Sequence, residues 1–375
     1  MTGDVDWFPP SDLLRRVVGS EACEVRPFPA DLYATVRKPG RELLRHFYTL
    51  LRESIPELPT VAGEVFVVVP ARNEEKGIQH TLDDLLAVLT PSRFHVAVIV
   101  NATTDATEAR VRAWLATHED RVEHVADGRA SASDGPPRLR VHLLDEPTPG
   151  KVLAMSGVDR VFLQRGAYPE WIAQVDADTR VSHGALDQLI QHATAHGEVA
   201  KTGAPQWRQR DGREAIAVIP DDPRGWRWQG LNGNFFVART RVWLAGVRTV
   251  LECAPRSIGD DGILSTLFRL SGLRTGSATD PGALPYVTLA PSTTDEAIQQ
   301  QVRWFATQIQ LSRVFGREAI ETIGLVSPAP PQPLILSNVS KEYFFKAAIE
   351  LVQRAETTGS HAWIPGRTPQ EPEEV

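Results

Sequence analysis

Residues 170–180 read EWIAQVDADTR, and the fold prediction starts from this stretch. Its first half is a short, mostly apolar run of the kind that forms a buried strand in an α/β sheet: Trp171, Ile172, Ala173 and Val175. The run ends in Asp176 and Asp178, and residues two positions apart project to the same side of an extended chain. Since ligands of open α/β sheets collect at the carboxyl ends of strands, the stretch predicts a polar site at a sheet edge.

The two carboxylates favour a particular kind of metal ion. Asp176 and Asp178 are hard oxygen ligands without Cys or His close by in the sequence, and such ligands suit Mg²⁺ or Mn²⁺ better than zinc. An Asp-x-Asp after a strand also occurs in solvated turns and helix caps. Taken alone, the motif therefore leaves a metal site and a solvated turn both open.

Around this stretch, strand-like and helix-like segments alternate. Apolar β-branched runs at 65–69, 94–100 and 139–144 are each followed by a helical pattern, and another helix is expected from 183 to about 195. This βαβα order predicts an α/β fold with a doubly wound, mostly parallel central sheet flanked by helices. Beyond residue 200 the sequence predicts further strands at 232–238, 274–278 and 286–290 and helices at 257–270, 295–315 and 341–354.

Composition excludes several classes of protein. The chain has 375 residues, a formal net charge of −7 and only two cysteines, which argues against a nucleic-acid-binding surface, a disulfide framework and a cysteine-rich metal site. The N-terminus lacks the basic-then-apolar order of a signal peptide, and no run of 18 apolar residues occurs. The expectation is a soluble, cytoplasmic protein with no integral membrane segment.

The loop after the first strand matches neither GxGxxG nor a P-loop. This argues against a dinucleotide-binding protein and against a P-loop protein. Seven other short motifs occur along the chain in the order VVVPARNEE, VNATTDAT, PGKVLAM, DAD, NGNFFVARTR, GDDGILS and QQVRW. This series resembles the family 2 glycosyltransferases of the GT-A fold, including the cellulose, chitin and hyaluronan synthase branch. The resemblance covers residues 64–315. It implies a GT-A domain at 61–320. Outside this range, helical periodicity and composition predict an N-terminal helical extension at 1–60 and a proline-rich linker, terminal helix and disordered tail at 321–375.

On the donor side, the resemblance implies a nucleotide-sugar site. The loop expected to border the base and ribose contains Pro70, Ala71, Asn73 and Glu74. Asn101 stands where such enzymes usually have an Asp that reads uracil; an Asn oxygen can accept the uracil N3–H, but the departure leaves the base open. Lys151 matches the family's GK motif and would offset phosphate charge, although a solvated lysine at a helix start is the alternative. Asp176 and Asp178 become the metal and diphosphate site, the DXD motif.

On the acceptor side, the resemblance assigns the catalytic base and a helix whose side chains bind the diphosphate and a sugar or acceptor ring. Asp261 aligns with the catalytic base, with Asp260 as the second candidate and helix capping as the structural alternative. Residues 300–304 match QxxRW, whose polar and aromatic members share one helical face: Gln300, Arg303 and Trp304. The guanidinium group of Arg303 would donate hydrogen bonds to the diphosphate, and Trp304 would stack on a sugar or acceptor ring.

The sequence departs from the processive synthases because their transmembrane helices are missing. The favoured interpretation is a soluble inverting enzyme that moves one sugar from a UDP-hexose or UDP-N-acetylhexosamine to a discrete acceptor, by metal-assisted single displacement. That acceptor is a natural-product intermediate, free or carrier-bound, or a glycan. Acceptor-side candidates, with surface packing as the alternative, are Trp207, Trp226 and Trp228. A glycan- or polysaccharide-assembling transferase, a sugar-nucleotide nucleotidyltransferase and a non-catalytic sugar-nucleotide-binding module remain alternatives.

Overall fold

The computed structural model describes residues 30–54, 58–125, 137–208, 230–277, 285–289, 294–325 and 341–358. Its helices are α1 (Ala30–Thr35), α2 (Lys38–Thr49), α3 (Ile78–Val88), α4 (Thr107–Thr117), α5 (Lys151–Ser156), α6 (Val158–Arg165), α7 (Ala185–Ala195), α8 (Thr240–Cys253), α9 (Asp260–Leu270), α10 (Thr294–Phe315), α11 (Arg317–Thr322) and α12 (Lys341–Thr358). Its strands are β1 (Thr60–Ala71), β2 (Phe94–Asn101), β3 (Val122–His124), β4 (Leu139–Glu146), β5 (Tyr168–Val175), β6 (Thr179–Arg180), β7 (Ala200–Thr202), β8 (Ala204–Arg208), β9 (Phe235–Arg239), β10 (Thr275–Gly276) and β11 (Pro285–Leu289). A π-helical turn, Leu50–Ser54, continues α2.

Eight of these strands form the central sheet, in the order β10-β7-β9-β5-β1-β2-β4-β3. Neighbours pair in parallel throughout, except that β9 runs antiparallel to both β5 and β7. The predicted fold class, a doubly wound and mostly parallel sheet flanked by helices, is confirmed. The local sequence pattern does not predict the antiparallel direction of β9.

The alternation of side chains along β1 shows how both faces of the sheet are covered. Phe66 and Val68 face a core formed with α2, α5, α6, α8 and α9, whereas Val65, Val67 and Val69 face a core formed with α3, α4 and α7. A strand that is buried on both faces needs the continuous apolar run seen in the sequence. Helix α2 belongs to the first core, in which its Leu44 and Phe47 are fully buried.

A second, three-stranded sheet has the order β6-β11-β8. Its strand β6 begins directly after Asp178, so this small sheet lies beside the exit of β5. The C-terminal helix α12 packs against α10 in a third apolar cluster that includes Val302, Phe305, Leu351 and Val352. Within the described ranges, no helix is long and apolar enough to cross a bilayer.

A buried polar network lies between β1, β2 and β4, away from the carboxyl ends of the strands. Glu64 accepts from Arg165 at 2.6 Å and lies 3.0 Å from Nε2 of His95. The rings of His95 and His142 stack with centroids 5.9 Å apart. Burial, reinforced by His95 and Arg165, lowers the pKa of His142 to about 3. His142 is therefore a neutral core side chain at every physiological pH.

We expect this histidine to make the fold sensitive to acid. The unfolded chain protonates His142 near its ordinary pKa of about 6.5, whereas the folded chain does so only near pH 3. Unfolding therefore takes up a proton between these values, so the stabilisation is fully present above pH 6.5 and falls as the pH is lowered. At pH 5 this linkage removes ~2 kcal/mol of the free energy of unfolding.

Urea unfolding of the wild type and His142→Leu at pH 7.5 and pH 5 measures this contribution. The leucine has a similar volume and does not titrate, so the variant should lose less stability between the two pH values. An equal loss in both proteins would contradict the assignment.

Candidate active site

The predicted site residues converge because of strand direction. The parallel strands β1, β2, β4 and β5 all end at the same edge of the sheet. The antiparallel β9 begins there, since Phe235 pairs with Val175. The segment before β9, residues 232–234, therefore meets the exit of β5, and the backbone N–H of Asp176 donates to the carbonyl of Asn234 at 2.9 Å.

Lys151 and Asp176 form the central ion pair of this edge. Lys151 is the first residue of α5, and its Nζ donates to Oδ1 of Asp176 at 2.7 Å and to the carbonyl of Gly233 at 3.3 Å. Burial alone would lower the pKa of Lys151, but the carboxylates of Asp176, Asp260 and Asp261 together raise it. Burial raises the pKa of Asp176, and the Lys151 ammonium offsets part of that effect. One cation thus lies within the field of three carboxylates.

Gly233 contacts both Lys151 of α5 and Asp261 of α9. Its carbonyl accepts from Lys151 and, at 2.8 Å, from the fully buried Nε2 of Gln174. Its N–H donates to Oδ2 of Asp261 at 3.0 Å. A Cβ added at this position would stand 3.2 Å from the same Oδ2. A side chain here would therefore press on the carboxylate to which the backbone must donate.

Asp260 and Asp261 occupy the first turn of α9. Asp261 is partly buried, and its Oδ1 and Oδ2 accept from the backbone N–H groups of Gly262 and Gly233. Burial and the neighbouring Asp260 carboxylate raise the pKa of Asp261 to about 6. Oδ2 of Asp260 is buried and has no hydrogen-bond partner in the part of the chain that the structure describes. Asp261 can therefore take a proton near neutral pH, as a general base must.

The loops after β1 and β2 hold one another. Asn73 has a φ of 59°, in the left-handed region, and its Oδ1 accepts from the Thr104 N–H at 2.9 Å. The N–H of Glu74 donates to Oγ1 of Thr107 at 2.7 Å. Burial would raise the pKa of Asp105, but hydrogen bonds from Thr107 and Thr103 lower it to about 2. Strained backbone held by such contacts is typical of a functional site.

The structure places the other residues of the predicted base-side loop at the same edge. Pro70 and Ala71 end β1, paired with Ile99 and Val100 of β2. Asn101, the last residue of β2, is only 2% exposed. Its oxygen accepts from Gly150 N–H at 2.9 Å, and its amide donates to two carbonyls of the loop after β4.

Helix α10 brings the 300–304 segment to the acidic side of the site. The charge of Arg303 is close enough to lower the pKa of Asp176. Trp304 is partly buried, and Oε1 of Gln300 is buried without a hydrogen-bond partner among the described residues. One turn further along, α10 touches the residue before α9, because a Cβ on Gly259 would lie 2.3 Å from Thr307. The helix that carries Arg303 thus also abuts the start of the segment that carries Asp261.

The residues present are suited to a divalent metal only in part. Asp176 and the partly buried Asp178 supply two carboxylates at the exit of β5. The described ranges contain no group of three His, Cys, Asp or Glu that could hold a metal ion. Mg²⁺, however, is often held by one or two carboxylates together with substrate phosphates and water. The donor set therefore fits a metal that is completed by a bound diphosphate.

Three residues of this site were missed in the sequence. Gly233 and Gln174 look like ordinary strand-flanking and strand residues, and only the pairing of β9 with β5 shows their contacts. Tyr286 of β11 is buried, with its ring 5.2 Å from that of Phe235, and its hydroxyl has no partner among the residues described. Burial and the carboxylates of Asp176, Asp261 and Asp178, in that order, raise the pKa of Tyr286 well above its ordinary value. Gln174 could have been noticed from the sequence, because it is a polar residue within the apolar run of β5.

The predicted tryptophan cluster is not tested by these contacts. The backbone of Trp207 lies in β8 and pairs with Thr288 of β11, but its side chain lies outside the described part of the structure. Trp226 and Trp228 lie outside the described residues altogether. The acceptor-side role of all three stays a prediction.

The model of a known family matches part of this chain. Residues 66–243 match the model of glycosyl transferase family 2. The matched range contains the second half of β1, the exit of β5 and the 232–234 segment, and it ends before Asp260 and the QQVRW motif. The chain matches no curated protein sequence.

Solved structures similar to this chain include the following three. A mannosyltransferase of Pyrobaculum calidifontis in complex with GDP-Man and Mn²⁺ is 18% identical, with 90% of this chain and 86% of that chain covered and a TM-score of 0.47. S. aureus TarS 1-349 in complex with UDP-GlcNAc is 12% identical, with 78% and 81% covered and a TM-score of 0.40. Glucosyl-3-phosphoglycerate synthase of M. tuberculosis is 17% identical, with 68% and 81% covered and a TM-score of 0.39. Similarity at this level does not indicate a shared substrate.

Proposed function

We propose that this chain is an inverting nucleotide-sugar glycosyltransferase of family 2 that moves a single sugar to a discrete acceptor. The observation that carries the proposal is the meeting of Lys151 with Asp176, Asp260 and Asp261 at one edge of the sheet. A cation surrounded by carboxylates provides both a binding partner for a diphosphate and a base beside it. The family match over residues 66–243 supports the same interpretation.

The proposed reaction is a single displacement. The acceptor oxygen forms a bond to the anomeric carbon while the bond from that carbon to the phosphate oxygen breaks, so the configuration is inverted. Asp261 takes the acceptor proton, and a pKa of about 6 leaves it mostly ionised at pH 7.5. Lys151 and Arg303 stabilise the negative charge that develops on the departing diphosphate.

A divalent ion, Mg²⁺ or Mn²⁺, would be held by Asp178 and Asp176 and would supply further charge stabilisation for the leaving group. The contribution of the chain itself is to keep Asp176 oriented through its bond to Lys151 and its backbone bond to Asn234. The proposed donor is a UDP-hexose or UDP-N-acetylhexosamine, as the motif resemblance implies. The proposed acceptor is a natural-product intermediate, free or carrier-bound, or a glycan.

Two alternatives make different use of these residues. A nucleotidyltransferase requires phosphate-binding backbone after β1, whereas the loop at 70–75 is bonded to the loop after β2 through Asn73 and Glu74. A non-catalytic binding module has no need for a buried carboxylate with a pKa near neutrality, and Asp261 has one. Both observations favour the transferase.

Slow hydrolysis of a sugar nucleotide tests the proposal without knowledge of the acceptor. The protein is incubated with Mn²⁺ and UDP-glucose, UDP-GlcNAc or GDP-mannose, and release of the nucleoside diphosphate is followed. We expect release from at least one donor, its loss with a chelator and its recovery with added Mn²⁺. The proposal would be refuted by the absence of both release and calorimetrically detectable binding for all three donors.

A further inference from the structure

The loop that precedes Lys151 is held by one side chain from a neighbouring strand. Nδ2 of Asn101 donates to the carbonyl of Thr148 at 2.7 Å and to that of Glu146 at 3.2 Å. Oδ1 of Asn101 accepts from the N–H of Gly150 at 2.9 Å. Three hydrogen bonds from a single buried side chain therefore span the whole turn between β4 and α5.

The sequence of this turn explains why it needs such a partner. Glu146 and Thr148 each precede a proline, in the order EPTPGK. Proline has no N–H, so two of the donors that could have satisfied carbonyls within the turn are missing. The amide of Asn101 supplies the donor to the Thr148 carbonyl from outside the turn, whereas the Glu146 carbonyl also accepts from the N–H of Ala102 at 2.8 Å. This arrangement requires a side chain that donates and accepts at the same time.

The contact with Gly150 fixes where α5 starts. Gly150 has a φ of 154°, and its carbonyl accepts the first helical bond, from Ala154 N–H at 2.9 Å. Lys151 follows at once and reaches Asp176 with its Nζ. The backbone from which the Lys151 side chain extends is thus set by Asn101.

We propose, on the basis of the function proposed above, that Asn101 is a positioning residue that acts through Lys151 on the diphosphate and does not select the nucleotide base. Both ends of its amide are engaged within the protein, and the side chain is almost fully buried. An aspartate at this position would accept but not donate, so its carboxylate would face the carbonyls of Glu146 and Thr148 without a hydrogen bond. Asparagine is therefore required here for loop geometry.

Asn101→Asp tests this with two nucleotides. Affinities for UDP and GDP in the presence of Mn²⁺ are measured by calorimetry for the wild type, for Asn101→Asp and for Gln79→Glu. The last variant makes the same amide-to-carboxylate change at partly exposed Gln79 on α3. We expect Asn101→Asp to weaken both nucleotides by about 10-fold, so that their affinity ratio changes by less than about 2-fold. Gln79→Glu should change neither affinity.

A double-mutant cycle with Lys151→Met separates positioning from a general structural effect. If Asn101 acts through Lys151, Asn101→Asp should cost less than about 2-fold when Lys151 is already absent. An equal loss in both backgrounds would overturn the proposal, as would a loss confined to UDP or no loss at all. Should Asn101→Asp not fold, Asn101→Ala, which adds no charge and neither donates nor accepts through its side chain, is measured in the same way and judged by the same outcomes. A wild type that binds neither nucleotide would instead refute the proposed function itself, and this inference with it.

Discussion

Asp261→Asn is expected to reduce kcat of sugar transfer by about 10²–10⁴-fold, because the variant lacks the group that takes the acceptor proton. Affinity for the sugar nucleotide should stay within about 3-fold of the wild type, since the asparagine oxygen can still accept from the N–H of Gly233. The measurement is steady-state transfer or donor hydrolysis, combined with calorimetric binding of the donor. Turnover close to that of the wild type would remove Asp261 from the role of base.

Asp260→Asn is the matched variant, one residue away on the same helical turn. The Asp260 charge helps to raise the pKa of Asp261 to about 6. Removing that charge should lower the pKa of Asp261, so the acid limb of the pH–rate profile should move to lower pH while most activity remains. If Asp260→Asn is the inactive variant and Asp261→Asn retains turnover, the unpartnered carboxylate oxygen of Asp260 is the base.

Lys151→Met should reduce kcat by about 10²–10³-fold, the effect typical of removing one fixed charge-stabilising group from an active site. Loss of the Lys151 charge should also change the pH dependence of the reaction. The ammonium of Lys151 lowers the pKa of Asp261, so its removal raises that pKa above about 6. The acid limb of kcat/KM should therefore move to higher pH, opposite to the movement expected for Asp260→Asn.

Lys38→Met provides the control for loss of a lysine charge. Lys38 lies on α2 with 82% of its side chain exposed, and it faces Glu42 at 3.9 Å. Its replacement should change neither kcat nor the pH profile. A Lys151→Met enzyme with wild-type kcat and an unmoved acid limb would show that this lysine only caps α5.

The sequence predicted those parts of the site that follow directly from strand ends. Apolar runs that stop at polar residues identify the exits of β1, β2 and β5, and parallel strands must bring such exits to one edge. This pattern predicts that β2 ends near Asn101 and that β5 ends at Asp176. The prediction needed only local periodicity and the direction of the chain.

The remaining parts depend on contacts between distant segments. Gly233 becomes important only because β9 runs antiparallel to β5, and strand direction is not encoded in the alternation of side chains. The orientation of Asn101 depends on prolines that lie more than 40 residues away in the chain. The motif resemblance assigned Asn101 to the base, but it carried no information about which backbone groups that amide meets. Tyr286 was missed because a tyrosine in a short strand is most often a packing residue.

The reversed direction of β9 has a consequence for how such a protein can diversify. The chain enters β9 at the edge where substrates would bind, so the segment that connects β8 to β9 is anchored by a strand at each end. The strand pairings set no length for residues 209–229, so these can change without altering the register of the central sheet, whereas Gly233 is constrained by its contacts with Lys151 and Asp261. Residues 209–229 can therefore diverge among related proteins while the side chains at the exit of β5 are inherited unaltered.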